Sequence, residues 1–474
     1  MIERTLSTTL EPAAMFAALR PCGLPFLLDN AAARDSKALS ILGVDPISYL
    51  EWHRGEGQLV WGATRESIGD LNQALRRLRG VVDVPAGDLG DLPFQGGLLG
   101  YLGYDAGRAY EPMPDENPAD SSLPDLWFGA YDLFLVRQCD KWRLVCVSEA
   151  NPENSERIER VVDCVRVADG DLQTANQDAS VAPKRRPAVS SVSASGHQSR
   201  VEAVRELIRQ GDVYQINLTQ RWLVPCKDDA ARLFSRLQRE HPAPYGALFE
   251  WQGAAIVSVS PESYLKLDQD QVESRPIKGT SPRYADPDLD ARSAKELLVS
   301  EKDRAELAMI VDLIRNDLSR VCRPGSVVVS DHAHLESAPT VHHLVTVVRG
   351  KLREGCDLFD LLKASFPGGS ITGAPKIRAM QRIDEIESLR RGIYTGSIGY
   401  VSACGKAEFS IAIRTVVLEG GFARVYGGGG VVIDSDPKSE YDESVAKVSG
   451  ILEILGAEIR HEGISSEWPL RRGR

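Results

Sequence analysis

The sequence predicts an α+β protein built largely from antiparallel sheets, and three observations carry that prediction. Short apolar runs separated by turns fill residues 1–150, as in sheets whose neighbouring strands follow one another along the chain. Longer helical patterns come later; the longest runs from near Ala291 to about Arg320, with Leu307, Ile310 and Ile314 on one face. There is no regular alternation of one strand with one helix, which would be typical of a parallel sheet.

Each predicted element rests on a short pattern of its own. Strands are predicted at Pro25–Asp29, Ile47–Trp52, Leu126–Phe128, Tyr131–Val136, Trp142–Val147, Tyr214–Leu223, Gly246–Trp251, Ala255–Ser258, Thr340–Val348, Gly396–Ser402, Ala407–Val417 and Ala423–Tyr426. We interpret the third, fourth and fifth of these as a β-meander. The run Gly96–Tyr104 lacks the GxGxxG order and opens no helix, so it predicts a buried sheet edge. Helices are predicted from Ser199 to Gly211, from Pro375 to about Ser388 and from Pro437 to about Leu455.

Composition divides the chain into four stretches. Residues 1–165 are predicted to form an amino-terminal region, and residues 166–198, rich in Ser, Ala, Asp and Gln, a polar linker or loop. Residues 199–458 form a second unit, which holds the motifs described below, and residues 459–474 a tail.

Charge and cysteine content exclude several classes of function. The net charge of −11 argues against nucleic acid as a partner. No apolar run approaches the length of a membrane span, and no apolar segment follows the acidic start of the chain, so neither a span nor a signal peptide is expected. The eight cysteines are scattered without a CxxC motif, which favours reduced thiols in a cytoplasmic protein.

One lysine lies in an unusually constrained stretch. Lys278 follows Pro276 and precedes Gly279, so it is held where an extended segment meets a tight turn. A surface turn with a solvated lysine would have the same sequence. A functional lysine would lose less conformational entropy on being positioned here than on a flexible loop.

Two acidic pairs recur at helical spacing. Asp303 and Glu306 lie three residues apart on the long helix, and Glu440 and Glu443 repeat this spacing on the last helix, with Lys447 on the same face. Either pair alone is more typical of a solvated helix face. Two pairs near a glycine run favour Mg²⁺, which prefers carboxylates together with water and an anionic substrate.

Other features suggest anion binding. The turn Pro367–Pro375 leads into a helix whose free N–H groups could bind an anion. The run Gly427–Gly430 would let backbone approach a ligand, although a bulged turn is an equal alternative. Arg414 is a charge in a strand patterned for burial, and a planar carboxylate suits it. His342 and His343 should point to opposite faces of a strand, so at most one acts in a site.

These motifs together resemble those of the chorismate-utilising enzymes. The resemblance is strong over residues 199–455 and weaker over residues 1–150. It is carried by Ser260–Glu262, Pro276–Thr280, Asp303–Glu306, Ile310–Leu318, Gly368–Lys376, Arg414 and Gly428–Gly430. The family fold that it implies is an α/β sandwich of antiparallel sheets with outer helices and a site in a cleft.

The resemblance also implies residue roles. Glu306 and Glu443 would bind Mg²⁺, assisted by Asp303 and Glu440 through water. Glu262 would be the general acid or base, and His343 would lie near the substrate ring. Residues expected to hold the substrate are Gln215, Thr280, Tyr394, Arg414, Gly428, Gly430 and Lys447.

Two positions distinguish members of the family. Gln215 occupies the place of a lysine that activates water in the isochorismate- and salicylate-forming members, so water activation is disfavoured. Lys278 occupies the place of an alanine in anthranilate-forming members, and aminodeoxychorismate-forming members have lysine there. The resemblance therefore implies 4-amino-4-deoxychorismate formation through a covalent Lys278 intermediate, with anthranilate formation as the alternative.

The covalent role requires a neutral amine and a source of ammonia. We expect burial, Arg275, Arg283 and Mg²⁺ to lower the pKa of Lys278. No cysteine lies in a glycine-flanked nucleophile turn, so a separate glutaminase subunit is expected to supply the ammonia.

Overall fold

The computed structural model describes residues 1–30, 38–82, 89–90, 92–174, 185–338 and 341–460. Its helices are α1 (Pro12–Ala18), α2 (Leu71–Arg79), α3 (Pro152–Thr174), α4 (Ala194–Arg209), α5 (Ala230–Glu240), α6 (Pro287–Val299), α7 (Glu301–Ser319), α8 (Leu358–Ser365), α9 (Lys376–Ile386) and α10 (Pro437–Ile454). Its first strands are β1 (Ile2–Leu6), β2 (Phe26–Asp29), β3 (Leu39–Gly43), β4 (Ser48–His53), β5 (Glu56–Trp61), β6 (Thr64–Ile68), β7 (Gly97–Leu102), β8 (Leu126–Tyr131), β9 (Leu133–Gln138) and β10 (Lys141–Cys146). The later strands are β11 (Arg186–Ser190), β12 (Gln215–Pro225), β13 (Tyr245–Trp251), β14 (Ala254–Ser260), β15 (Ser263–Asp268), β16 (Gln271–Arg275), β17 (Ile277–Pro282), β18 (Val328–Ser337), β19 (Val341–Lys351), β20 (Gly373–Ala374), β21 (Ser397–Ser402), β22 (Lys406–Ile411), β23 (Thr415–Glu419), β24 (Phe422–Val431) and β25 (Ala457–Arg460).

The described strands form two large sheets. The first runs β1-β10-β9-β3-β2-β13-β14-β23-β24-β12-β11-β25, with β20 beside β12. The second runs β17-β19-β16-β15-β22-β21-β7-β8-β4-β5-β6, with β18 beside β19. Within the described ranges, only the β11–β25 ladder is parallel. The predicted α+β class with antiparallel sheets is confirmed.

Side-chain alternation along the strands builds two apolar layers. On β2 and β3, Phe26 and Ile41 belong to one buried cluster, whereas their neighbours Leu27 and Leu42 belong to another. Because successive strand residues point to opposite faces, the first sheet is buried on both sides. One side contributes to a cluster shared with the second sheet, and the other packs against α1, α3, α5 and α10.

Both sheets combine strands from the two ends of the chain. In the first sheet β2 pairs with β13, and in the second β7 pairs with β21. The run Gly96–Tyr104 is therefore not the predicted sheet edge, because β7 lies between β21 and β8. The boundaries proposed at residues 165 and 199 stay predictions, and the stretches on either side share both sheets.

The structure corrects the loop predicted for residues 166–198 at both of its ends. Helix α3 continues to Thr174 because Ile158, Val161 and Val165 bury one of its faces. Strand β11 pairs with β12 and β25, and Ser193 caps α4, whose start precedes the predicted Ser199. Residues 175–184 of the predicted loop and 461–474 of the predicted tail lie outside the described residues.

Two further sequence predictions are wrong in detail. The predicted β-meander does not form, because β8 pairs with β4 and β7 in the second sheet while β9 and β10 belong to the first. The long helix predicted from Ala291 is two helices, α6 and α7, separated at Ser300. Ser300 is extended, with φ −64° and ψ 106°, and its hydroxyl accepts a hydrogen bond from the Asp303 N–H as the N-cap of α7.

This cap yields a prediction about stability. Ser300→Ala should lower the free energy of unfolding by about 1 kcal/mol, because the first turn of α7 loses an acceptor, whereas Ser300→Gly should cost only a few tenths of a kcal/mol. Denaturant unfolding measures both. Ser319→Ala, at the exposed end of the same helix, is the control and should change stability by less than about 0.5 kcal/mol. Equal effects of Ser300→Ala and Ser319→Ala would contradict the assigned cap.

Candidate active site

The predicted site residues meet where the chain crosses from one sheet to the other. Glu262 lies between β14 of the first sheet and β15 of the second, and Arg414 lies between β22 of the second and β23 of the first. The Ile411 N–H donates to the Glu262 carbonyl at 3.0 Å, and the Val259 N–H donates to the Arg414 carbonyl at 3.2 Å. The two crossings therefore run side by side and place an acid and a cation in one region.

A local irregularity in β17 presents Lys278. Lys278 pairs with Leu344 and Thr280 with His343, so Gly279 is an extra residue in the ladder. Gly279 has φ +76°, and a Cβ there would lie 3.0 Å from the side chain of Asp303. Only glycine suits this position without strain, which agrees with the tight turn predicted from the sequence.

Lys278 forms an ion pair with Glu306 of α7. Its Nζ lies 3.0 Å from Glu306 Oε1, and Gln215 Nε2 donates to the same oxygen at 2.7 Å. Burial alone would lower the pKa of Lys278, but Glu306, Glu262 and Glu443 together raise it above its usual value. The Lys278 ammonium and Gln215 lower the pKa of Glu306 against the effect of burial.

Without a bound cation, the pKa of Lys278 is therefore raised and not lowered as expected. Arg275 forms an ion pair with Glu336, and Arg283 pairs with Asp290 at 2.9 Å. Each arginine is thus neutralised by its own carboxylate, and the charges that act on Lys278 are negative.

A second lysine pairs with the acidic residues of α10. Lys447 Nζ lies 2.6 Å from Glu443 Oε1 and donates to the Gly428 carbonyl of β24 at 2.9 Å. Glu440 is buried and accepts a hydrogen bond from Ser435 at 2.6 Å. Burial raises the pKa of Glu440, and the negative charge of Glu443 adds to the rise.

The glycines of β24 make room for these carboxylates. A Cβ on Gly429 would lie 3.1 Å from Glu440 Oε2 and 3.2 Å from Glu443 Oε1. A Cβ on Gly430 would lie 2.6 Å from Glu306 Oε1 and 2.2 Å from Gln215 Nε2. Any side chain at Gly430 would therefore displace the groups that surround Lys278.

The residues present fit a hard divalent cation. Within the described ranges, no three His, Cys, Asp or Glu side chains are grouped closely enough to hold a metal as they stand. Glu306, Glu440 and Glu443 nevertheless line one glycine strand, and their donors are carboxylate oxygens, which Mg²⁺ prefers. Asp303 lies apart, against Gly279, and its Oδ2 accepts a hydrogen bond from Ser300 at 2.5 Å.

Glu262 and His343 are both buried. Glu262 is 6% exposed, and burial raises its pKa, while the Ser370 hydroxyl, the charge of Lys278 and the Ile277 N–H oppose the rise. His343 Nδ1 lies 3.0 Å from Thr280 Oγ1. Burial and then the charge of Arg414 lower the pKa of His343, which favours the neutral imidazole. His342 instead contacts Asp290 at 3.1 Å, as expected for the opposite face of the strand.

The positive charge of Arg414 is compensated by carboxylates less than that of the other cations in this region. Burial lowers its pKa, and no carboxylate of the described chain lies within ion-pair distance of it. A guanidinium in this state is suited to a planar carboxylate from outside the chain. Tyr394, also predicted for substrate binding, is buried and stacks on Tyr426 with ring centroids 4.9 Å apart.

Sequence reasoning did not find the buried pair Glu387–Arg391. Arg391 donates to Glu387 at 2.7 Å, to the Asn217 carbonyl at 2.6 Å and to the Ile371 carbonyl at 3.0 Å. Both residues lie beyond the end of α9 at Ile386, so their spacing of four residues gives no helical signal for the pair. The contact from Ser370 to Glu262 also has no sequence signal beyond the predicted turn.

Comparison with known proteins agrees with this geometry. The family model described as chorismate binding enzyme matches residues 28–453. The chain belongs to this family. Its recognition as a chorismate-utilising enzyme from sequence motifs is confirmed.

Several relatives lie within the same family. Aminodeoxychorismate synthase component 1 of Salmonella typhimurium is 42% identical over 371 residues, covering 77% of this chain and 78% of that protein. Anthranilate synthase component 1 1 of Haloarcula marismortui is 39% identical over 424 residues, covering 84% and 83%. The crystal structure of anthranilate synthase component I from Streptococcus pneumoniae TIGR4 matches with TM-score 0.76 and 30% identity over 87% of this chain and 92% of that chain. The predicted anthranilate synthase-like fold is confirmed.

The ion pair with Glu306 yields a prediction about Lys278. Glu306→Gln removes the largest influence that raises the pKa of Lys278, so that pKa should fall. The pH dependence of Lys278 reacting with an amine reagent, followed by peptide mass spectrometry in the presence of chelator, measures the change. The midpoint should move to lower pH. Asp312→Asn, an exposed position on the same helix, is the control, and an unmoved midpoint in Glu306→Gln would contradict the assigned pairing.

Proposed function

We propose that the chain converts chorismate and ammonia to 4-amino-4-deoxychorismate, for p-aminobenzoate and folate synthesis in the cytoplasm. The observation that carries the proposal is the position of Lys278 among Glu306, Glu262 and Glu443. The relatives include proteins named for aminodeoxychorismate formation and others named for anthranilate formation. Lys278 favours the first, because anthranilate-forming members have alanine at this position. Anthranilate formation remains the second candidate.

The cationic and polar groups are arranged for a dianionic substrate. Chorismate carries two carboxylates, and Arg414 and Lys447 would each hold one of them. Thr280, Tyr394 and the N–H groups of Gly428 and Gly430 would complete the binding site. His343, neutral beside Thr280, would lie near the substrate ring.

We propose that Glu306 and Glu443 hold Mg²⁺, with Asp303 and Glu440 assisting through water. When bound, the ion would supply positive charge that attracts the anionic substrate and offsets the negative charge around Lys278. Gln215 would keep Glu306 oriented through its hydrogen bond of 2.7 Å.

Lys278 would act as the nucleophile in the first of two displacements. An unperturbed lysine is neutral in only about one molecule in a few thousand at pH 7, so it must first lose a proton. Glu262, whose pKa burial raises, would receive that proton. The Lys278 amine would then bond to C2 of chorismate as the C4–O bond breaks, and Glu262 would return the proton to the departing hydroxyl as water.

Ammonia would complete the second displacement. It would bond to C4, the double bonds would shift back, and the bond from C2 to the Lys278 nitrogen would break. The net products are aminodeoxychorismate and water, and Lys278 is regenerated. Two displacements explain how the amino group reaches the carbon that lost the hydroxyl.

The ammonia would come from a separate glutaminase subunit. The similar proteins are named as a component 1, which implies a second component. The described cysteines are free thiols, and the sequence offers none in a glutaminase-type nucleophile turn.

The covalent step yields a direct prediction. With chorismate but no ammonia, mass spectrometry of the intact chain should show a substrate-derived adduct on Lys278. Lys278→Ala should abolish the adduct and slow aminodeoxychorismate formation by orders of magnitude. Lys266→Ala, an exposed lysine on β15, is the control and should keep both. Wild-type turnover by Lys278→Ala would refute the covalent role.

The metal assignment yields another prediction. Glu443→Gln removes a charged ligand, so it should weaken Mg²⁺ binding measured by calorimetry and lower the rate by orders of magnitude, with the fold retained. Asp442→Asn, the adjacent residue, which pairs with Lys438, is the matched control. The assignment fails if chelator leaves the wild-type rate unchanged or if Glu443→Gln behaves like Asp442→Asn.

A further inference from the structure

We propose that Lys376 and Asp317 form a positioning pair for Glu262 and act through the Ser370 turn, defined as residues 368–370. The inference rests on the proposed function, in which Glu262 moves a proton to the departing hydroxyl. Neither Lys376 nor Asp317 has a role in the two displacements described above.

The pair joins two segments that are distant in sequence. Lys376, the first residue of α9, donates from Nζ to Asp317 Oδ2 at 2.5 Å and to the Ser365 carbonyl at 2.6 Å. Asp317 lies near the end of α7, the helix that begins close to Asp303 and Glu306. Ser365 ends α8, directly before the Ser370 turn. One ammonium therefore fixes both ends of the segment from Ser365 to Lys376 against α7.

The turn itself packs closely on its surroundings. A Cβ on Gly369 would lie 3.3 Å from Leu313 of α7, and a Cβ on Gly368 would lie 2.9 Å from Ile411. Asn217 Nδ2 donates to the Ser370 carbonyl at 3.4 Å. Because the turn is held from several sides, the position of the Ser370 hydroxyl depends on how the segment is anchored.

The Ser370 hydroxyl connects the turn to Glu262, the residue that moves the proton in the proposed reaction. Ser370 and the buried Glu262 line the same small cavity, and the Ser370 hydroxyl lowers the pKa of the Glu262 carboxyl against the larger effect of burial. Ser365 and Asp317 also line this cavity, which lies behind the site. A shift of the segment would move the Ser370 hydroxyl relative to the Glu262 carboxyl without removing any group that binds substrate.

Burial makes the pair unsuited to a purely stabilising role. Lys376 and Asp317 each have 11% of the side chain exposed. Taking two charges out of water offsets most of their attraction, so a buried pair commonly adds little to stability over an apolar pair. An apolar pair would not reproduce the fixed geometry of this ion pair, since Lys376 also binds the Ser365 carbonyl.

A double-mutant cycle distinguishes positioning from general packing. Lys376→Met and Ser370→Ala should each lower kcat on the order of tenfold or more, with KM for chorismate changed by less than about threefold. Because Lys376 acts through Ser370, the double variant should be no slower than the slower single variant. Losses that multiply in an active, folded double variant would overturn the inference.

Two further variants keep the test decisive. If Lys376→Met does not fold, Asp317→Asn, which keeps the shape of the side chain, replaces it in the same cycle. Arg20→Met removes a cation that bridges Glu250 and Asp229 far from the site, and it should alter thermal stability but not kcat. A wild-type chain that makes no product overturns the proposed function and the role of Glu262 with it. An active wild type with multiplied losses overturns the positioning pair alone.

Discussion

The site depends on two places where the chain passes from one sheet to the other. At Glu262 and at Arg414 the strands of both sheets continue into each other, and hydrogen bonds of 3.0 and 3.2 Å hold the crossings together. Residues of β12 and β24 in the first sheet thereby face residues of β17 and β19 in the second. Helices α7 and α10 bring their acidic residues to the same junction, so no single segment holds the site.

In this junction two lysines pair with carboxylates and one arginine does not. Lys278 pairs with Glu306 and Lys447 with Glu443, whereas Arg414 has no carboxylate partner in the described chain. The buried lysine is therefore held as a cation by its neighbours, and any reaction as a nucleophile requires those negative charges to be offset. A site that binds a cation on the carboxylates and a dianion on the arginine meets both requirements.

The sequence predicted those parts of the structure that follow local rules. Alternating apolar residues predicted most strands, and the spacing of Asp303, Glu306, Glu440 and Glu443 predicted their helices. The last three of these residues lie near the glycines of β24, whereas Asp303 lies against Gly279. The break at Ser300 was not predicted, because an N-cap serine inside a continuous helical pattern looks like any exposed serine. The loop predicted for residues 166–198 contains strand β11, which local sequence did not reveal. Strand β11 pairs with β25, whose residues lie far along the chain.

Long-range contacts explain the errors in the predicted electrostatics. Sequence proximity suggested that Arg275 and Arg283 act on Lys278, but each pairs with a carboxylate that folding brings to it. The Ser370 contact with Glu262 and the pairing of Lys376 with Asp317 likewise join segments separated by many residues. Motif resemblance found these segments, and only the fold shows which of their residues meet.

The most direct test of the central claim is a product assay on the purified chain with chorismate, Mg²⁺ and ammonium salt at raised pH, with chromatography that separates the two candidate products. The account predicts aminodeoxychorismate as the main product, and almost no turnover when glutamine replaces ammonium in the absence of a second subunit. Anthranilate as the main product would contradict the role assigned to Lys278. Robust turnover with glutamine alone would contradict the requirement for a separate source of ammonia.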